Sequence, residues 1–512
     1  MLARRAGLNL PVAMLVAGMV FAFLPGVPPI AIDPELVLMT LLPPILYSSG
    51  VGMSWRGFRY NLRPILLLAV GCVVFTAGAL AALLHWLFAW PLAVGFLLGA
   101  IVSPPDAVAP SAILRAMPLP RRIKTVLEGE SLINDATALV AFTFALGAIS
   151  SGAFSLGSAA LVFTAIVGGE VLYGVSLGWL VLRLRHVAGD PRIEVLLALA
   201  TPFLAFWPPH AYGGSGVVAC VTAGLYVSWN GRRLIRPATR LQGYFIWNLV
   251  TWTVEAVAFL LTGLQAKALT QALATSGWAR ALEVSLVTIL AIVLVRFIWV
   301  YPATYLPRLI PAVRRRDPMP NWRAPFFVAS AGIRGVVSMI AALSVPLTLG
   351  GAPFPYRDEI LFATFAAILF TMLGLGGVLR PIARWLQLDR IGQDEQDKDA
   401  EDERRVRAEG IDAVLAALDA MPDNACTGTE LAALKRRHRD RRDQLAAQDH
   451  PHPCSLPSGQ LQLQIIAVER DVIARAYLDN RLTDGARRRI EREIDLEEAR
   501  IHHAIASMGA GH

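Results

Sequence analysis

Twelve apolar segments, most of them near the ~20 residues that a helix needs to cross a bilayer, constrain the fold of this 512-residue chain more than any other feature. A soluble core could not absorb a sequence that is 55% hydrophobic and only 17% charged. We therefore predict an all-α, polytopic membrane protein with about twelve transmembrane helices. The segments cover approximately residues 9–25, 34–53, 63–88, 91–117, 123–149, 155–183, 191–207, 213–230, 241–264, 279–303, 322–349 and 358–386.

The formal charge of +8 reflects basic residues that gather in alternate loops between these segments. The intervening loops contain only Lys267, Arg280 and Arg357. Because cytoplasmic loops are enriched in Arg and Lys, this alternation predicts a multi-pass protein of the inner (plasma) membrane with both termini in the cytoplasm. The expected partner of the basic loops is the lipid bilayer, and no nucleic acid partner is expected. The basic set comprises Arg56, Arg59, Arg63, Arg115, Arg121, Arg122, Lys124, Arg183, Arg185, Arg192, Arg232, Arg233, Arg236, Arg240, Arg308, Arg314, Arg315, Arg316 and Arg323.

The chain changes character near Asp389, where a polar and charge-rich tail begins. We predict a transmembrane exchanger domain over residues 1–388 and a helical cytoplasmic tail over residues 389–512. Regulation, self-association and contact with the membrane surface remain open as roles for the tail. His450, His452, Cys454 and Cys426 could form a metal site, but the Pro-rich stretch around them is more typical of a loop.

Four polar residues lie on one face of the fifth segment. Glu130 and Asn134 are four residues apart, as are Ser131 and Asp135, so all four project within an arc of about 140° if the segment is helical. Oxygen ligands suit hard cations, and a desolvated carboxylate can hold a cation or a proton. The pattern favours an ion-binding site, although a network of interhelical hydrogen bonds would use similar residues.

The fourth segment contains Ser103-Pro104-Pro105-Asp106 midway through its apolar run. Two prolines remove backbone donors and disfavour helical geometry before them, so we predict an unwound helix. Broken backbone within a membrane is tolerated where it lines a polar cavity, and Asp106 at the break would suit cation binding. A loop between two short segments is the alternative, but it would disturb the alternation of the basic loops.

The eleventh segment carries Arg334 about ten residues inside its apolar run, between Gly332 and Gly335. A guanidinium at that depth should have a carboxylate partner, and the two glycines permit a local break. The fourth and eleventh segments run in opposite directions, as an inverted repeat of discontinuous helices requires. For Glu255, packing or charge pairing is slightly preferred to ion contact, and Arg296 is expected to pair with Glu255 or with Glu170.

Four stretches together, at residues 42–46, 102–108, 129–135 and 332–338, resemble the signatures of monovalent cation:proton antiporters of the NhaP/NHE type, in the same order and spacing. The resemblance covers about residues 9–386. It implies the antiporter fold, with inverted repeats and discontinuous helices. It also implies that the protein is a secondary transporter and not an enzyme. It implies a homodimer, and no cofactor apart from the transported Na⁺ and H⁺.

The resemblance also assigns roles to individual residues. Asp135 and Asp106 are expected to bind Na⁺ and H⁺ in competition, with Ser131 as a further Na⁺ ligand and Asn134 orienting the site. An Asn-Asp pair in place of the Asp-Asp pair of electrogenic relatives implies electroneutral exchange of one cation for one proton. The expected function is Na⁺/H⁺ antiport, with Li⁺ or K⁺ as other substrates, for pH and sodium homeostasis. The alternatives are K⁺/H⁺ antiport, or a channel or sensor with a signalling tail.

Other implications concern the surroundings of the ion site. The resemblance pairs Glu130 with Arg334, which would hold the core helices together. Ser48 stands where many relatives have an acidic residue that helps to guide the cation, so it is a candidate accessory residue. The break has Pro105-Asp106-Ala107 in place of the usual Thr-Asp-Pro. The family generally has thirteen helices, so the chain is expected to begin just before the second of them.

Overall fold

A computed structural model gives the arrangement of the chain, which divides into two compact units, residues 1–392 and 393–512. The structure describes residues 10–28, 33–106, 117–151, 156–235, 237–349, 351–420, 428–447 and, beyond these, 463, 466–467, 490, 494, 496–498 and 501.

Helices make up nearly all of the described part of the chain. The first ten are α1 Leu10–Ala22, α2 Pro34–Gly52, α3 Trp55–Tyr60, α4 Leu62–Leu66, α5 Val73–Phe88, α6 Leu92–Val102, α7 Arg121–Ser151, α8 Leu156–Ala188, α9 Pro191–Ala211 and α10 Val217–Leu234. They are followed by α11 Pro237–Ser276, α12 Trp278–Tyr305, α13 Pro311–Arg316, α14 Arg323–Ser330, α15 Val336–Leu343, α16 Arg357–Phe370, α17 Gly376–Trp385, α18 Leu388–Asp419 and α19 Gly428–Ala447.

Short irregular elements join some of these helices. A π-helical stretch, Leu67–Cys72, makes α4 and α5 continuous, and a second one, Thr371–Leu375, does the same for α16 and α17. A 3₁₀ turn, Leu306–Leu309, follows α12, and a two-stranded antiparallel pair of β1 Thr348–Leu349 and β2 Ala352–Pro353 follows α15. The sequence pattern indicated none of these elements.

The predicted all-α membrane architecture is confirmed. Eight helices among the described residues are long and apolar enough to cross a membrane, and α1, α6 and the Val217–Gly231 part of α10 are shorter apolar helices. Each of the twelve predicted segments coincides with at least one helix. The number of spans itself stays a prediction, because the discontinuous helices are too short to be counted by length.

Small residues bring the helices of the first unit into close contact. Gly18 of α1 faces the backbone of Gly263 in α11, and Gly50 of α2 faces Gly224 of α10. Gly99 of α6 likewise packs on the backbone of Ala77 in α5. Lipid provides no hydrophobic drive for association, so such close backbone approach supplies much of the packing energy.

The second unit is helical where it is described. Asp419 of α18 pairs with Lys435 of α19 at 2.6 Å, and Asp412 pairs with Arg442 at 3.0 Å, so the two helices contact each other along their charged faces. Ile466, Ile494 and Ile501 form a separate buried cluster. The imagined metal ligands His450, His452, Cys454 and Cys426 lie outside the described residues.

Candidate functional site

The fourth apolar segment is broken where its prolines predicted. Helix α6 ends at Val102, and residues 103–106 are not helical. Ser103 donates its hydroxyl to Ala100 O at 3.2 Å, while Pro104 and Pro105 continue the chain without backbone donors. Asp106 is therefore presented at the end of a half-helix.

The eleventh segment is broken as well, between Ser330 and Val336, and the two breaks contact each other directly. Asp106 N donates to Ile333 O at 2.7 Å, and Arg334 Nε donates to Val102 O at 2.8 Å. Each break therefore satisfies backbone groups that the other has lost, as unwound backbone in a membrane requires. This pairing agrees with the predicted meeting of two discontinuous helices.

Helix α7 passes beside this crossing with its polar face turned inward. Glu130, Ser131, Asn134 and Asp135 are all buried. Asn134 Nδ2 donates to Pro105 O at 2.6 Å, which ties α7 to the first break, while Asn134 Oδ1 has no hydrogen-bond partner among the described residues. The amide thus holds the broken backbone in place and presents one free acceptor.

A small cavity of about 30 Å³ lies between the first break and α7. Asp106, Ser131 and Asp135 line it, together with Glu255 of α11 and Ser49 of α2. Such a volume holds a water molecule or a largely dehydrated monovalent cation, because one water needs roughly 10–15 Å³ on this measure. The cavity gathers three carboxylates and two hydroxyls around one ion-sized space.

The structure locates two of the predicted accessory residues, Glu255 and Ser48, relative to the cavity. Glu255 lines the cavity, although packing or pairing was slightly preferred for it. Ser48 is not among the residues that line the cavity; its hydroxyl donates to Ile45 O within its own helix at 2.9 Å. The adjacent Ser49 faces the cavity instead, because successive residues in a helix differ by about 100° in direction.

Gly335 gives the carboxylate of Asp106 its room. A methyl group added at Gly335 would overlap the Oδ2, Cγ and Cβ atoms of Asp106. The second break therefore needs glycine for close approach to the first, not for a left-handed backbone, since Gly335 has an extended conformation.

The predicted ion pair between Glu130 and Arg334 is wrong. Glu130 is bonded in a bidentate manner to Arg296 of α12, at 2.6 and 2.8 Å, with both side chains almost fully buried. Arg334 instead donates to the carbonyls of Val102 and Gly332. The physical reason is that carbonyls freed at the end of α6 carry partial negative charge, which can satisfy a guanidinium without a carboxylate.

The partner predicted for Arg296 changes accordingly. It pairs with Glu130, not with Glu255 or Glu170. Glu170 accepts hydrogen bonds from the backbone N–H groups of Ser215, Gly216 and Val218, at 2.5, 2.9 and 3.0 Å. Its negative charge therefore lies at the N-terminus of α10, where the unpaired N–H groups of a helix favour an anion.

A cluster of one carboxylate and three arginines lies at Asp317, between α13 and α14, and sequence reasoning did not predict it. Asp317 bonds to Arg63, to Arg122 at 2.7 Å and to Arg308 at 2.8 Å. Desolvation raises the pKa of Asp317, but the hydrogen bonds from Arg122 and Arg308 outweigh this and place the pKa below its usual value. The available signal was a lone acidic residue within the densest run of arginines.

The chain is similar in sequence to known membrane transporters. The family model described as "Sodium/hydrogen exchanger, transmembrane" matches residues 1–385. The chain is 31% identical to an uncharacterised Na⁺/H⁺ exchanger of Mycobacterium tuberculosis, over 96% of this chain and 91% of that protein. It is 29% identical to the Na⁺/H⁺ antiporter ApNhaP of Aphanothece halophytica, over 92% and 88% of the two chains.

A Bacillus subtilis protein named as a sodium, potassium, lithium and rubidium/H⁺ antiporter is 32% identical over 73% of this chain and 57% of its own length. Among solved structures, the sodium proton antiporter MjNhaP1 of Methanocaldococcus jannaschii superimposes with a TM-score of 0.59, covering 75% of this chain and 94% of that one, at 18% identity. At this level of identity, the structural likeness concerns the fold alone.

Proposed function

Because the chain belongs to the sodium/hydrogen exchanger family, we propose that it is a secondary antiporter that moves Na⁺ and H⁺ in opposite directions across the membrane. The observation that carries the proposal is the ion-sized cavity lined by Asp106, Ser131 and Asp135. We propose it as the place where the two ions compete.

Competition between Na⁺ and H⁺ follows from the free-energy cost of burying an unpaired carboxylate in the cavity. Asp135 is only 7% exposed, and no guanidinium or ammonium group pairs with it within the described residues. An unpaired carboxylate is expensive to bury, whereas a protonated or cation-bound one is not. Asp135 should therefore exchange a proton directly for Na⁺, with Ser131 and Asn134 supplying neutral oxygens when the occupant is Na⁺.

Exchange of one Na⁺ for one H⁺ moves no net charge, so we propose electroneutral antiport. Transport would carry the two breaks and α7 between the two sides of the membrane, as in alternating access around a fixed site. We further propose a homodimer in the inner membrane with both termini in the cytoplasm. K⁺ or Li⁺ are alternative cargoes, a range that the name of the Bacillus subtilis relative includes for that protein.

The test is the Asp135→Asn variant in membrane vesicles loaded with a pH-sensitive dye. Addition of Na⁺ should cause no proton movement in this variant, while the protein accumulates to the wild-type level. Asp190→Asn is the matched control, because it makes the same chemical change at an exposed residue that caps α9. Undiminished exchange by Asp135→Asn would contradict the proposal.

The same vesicles separate the alternatives. Wild-type rates with Na⁺, Li⁺ and K⁺ at equal concentration identify the preferred cargo. Clamping the membrane potential at zero and at ~100 mV should leave the rate unchanged, since an electroneutral step gains nothing from a field worth about 2.3 kcal/mol per charge. Cation current with no proton counterflow would indicate a channel instead.

A further inference from the structure

We propose that the arginine-rich groove between α3, α4 and α13 is a binding site for the phosphate headgroup of an anionic phospholipid. The groove has a volume of about 1350 Å³ and lies in the first unit, apart from the ion cavity. It is walled by the link from α2 to α5 on one side and by the link from α12 to α14 on the other. The inference is independent of the proposed exchange reaction.

The first observation is charge. Five arginines line the groove and Asp317 is its one acidic residue among those described. Asp317 is already saturated, because it bonds to Arg63, Arg122 and Arg308. The remaining lining arginines are exposed and form no ion pair within the part of the chain that the structure describes; they are Arg56, Arg59, Arg315 and Arg316.

Two of these arginines come from each wall of the groove, so an anion with several oxygens could bond to both walls. Arg59 belongs to one wall and Arg316 to the other, and Tyr60 connects the walls through a hydrogen bond of its hydroxyl to Arg316 O at 3.3 Å. A guanidinium is planar and matches phosphate oxygens with two parallel hydrogen bonds. A phosphate has more oxygens than a carboxylate and can therefore bond to arginines of both walls at once.

The second observation is that apolar and aromatic residues also line the groove, which favours a lipid as the source of the phosphate. Leu62 and Leu66 lie one helical turn apart and are 38% and 41% exposed. Trp55 and Trp229 line the groove as well, and their rings meet edge to face at 5.7 Å. Aromatic rings and arginines at the ends of apolar helices are typical of the membrane interface. A soluble phosphate would leave these leucines without a partner, whereas an acyl chain covers them.

The experiment measures lipid binding by the purified full-length protein in neutral detergent, using native mass spectrometry with phosphatidylglycerol and with phosphatidylcholine. Phosphatidylglycerol should bind more tightly to the wild type. Arg59→Gln/Arg316→Gln should weaken its binding about 30-fold, since each basic residue near anionic lipid contributes about fivefold. Arg192→Gln/Arg314→Gln is the control, because it removes two exposed arginines that do not line the groove.

A second measurement locates the lipid. Phosphatidylglycerol with brominated acyl chains should quench tryptophan fluorescence less in Trp229→Phe than in the wild type. Three outcomes would overturn the proposal: equal affinity for the two lipids, equal weakening by the control pair, or protection of the site by inorganic phosphate at the same concentration as the lipid. The last outcome would assign the groove to a soluble phosphate.

Discussion

Asp317 and Asp135 are both aspartates largely shielded from water, yet their surroundings differ in kind. Asp317 has three arginines around it, and Glu130 deeper in the same unit has Arg296. Asp135 faces a cavity with hydroxyls and other carboxylates and has no basic partner among the described residues. The paired carboxylates are occupied by the protein's own cations, whereas the cavity leaves room for one from outside.

The largest effect should come from breaking the buried pair. Glu130→Gln leaves the guanidinium of Arg296 buried without its countercharge, which typically costs 3–5 kcal/mol. We expect a marked fall in the temperature of thermal unfolding of the purified protein. Neutralising Asp135 should do the opposite, leaving that temperature unchanged or higher, because it removes an unpaired charge.

Two controls sharpen this contrast. Glu283→Gln, at an exposed position on α12, should leave the unfolding temperature unchanged. The double variant Glu130→Gln/Arg296→Met should regain much of the loss, since replacing both members of a buried pair is far less costly than replacing one. If Glu130→Gln alone unfolds like the wild type, the pair does not stabilise the helices.

A smaller effect, on transport, should follow from filling the space beside the cavity. Gly335→Ala would push the carboxylate of Asp106 away from its position, so we expect Na⁺-driven proton release to fall about tenfold or more. Gly377→Ala is the matched control, because a methyl group there meets no atom within 4 Å. Equal rates in the two variants would show that exchange does not depend on the placement of Asp106.

The smallest effect should come from the Asp317 cluster. A lowered pKa means that the ionised form stabilises the folded protein above the unfolded pKa, and that this contribution disappears as the pH falls through the folded pKa. Asp317→Asn should therefore cost about 1 kcal/mol at neutral pH, and the difference from wild type should shrink as the pH falls below about 4 and vanish below the lowered pKa of the folded protein. Unfolding temperatures measured across this range, with Asp190→Asn as the control, test this prediction. A difference that persists in acid would contradict the assignment.

Sequence reasoning could predict the breaks because proline and glycine act on the backbone locally, wherever the segment is placed. It could place Glu130 and Asp135 on one helix face for the same reason. Partners across helices were another matter. Arg334 was expected to pair with Glu130, and Arg296 with another glutamate. Only the folded chain shows that Arg296 of α12 reaches Glu130.

Two other differences between the expected and the observed surroundings have different causes. Ser48 was chosen by its alignment with an acidic position, but a single residue changes direction by about 100°, and Ser49 faces the cavity. Asp317 was overlooked because its three arginines come from separate parts of the chain. Counting the basic residues in each loop does not show which of them pair with an acidic residue.

The hydrogen bonds between the two breaks also bear on how the molecule can move. Asp106 N depends on Ile333 O, and Val102 O depends on Arg334, so neither break can rewind or slide alone without stranding polar backbone in an apolar medium. These hydrogen bonds therefore fix the two breaks to each other. Any displacement that carries an ion must take both half-helix pairs together as one rigid body, and the flexible joints of the cycle must lie outside it.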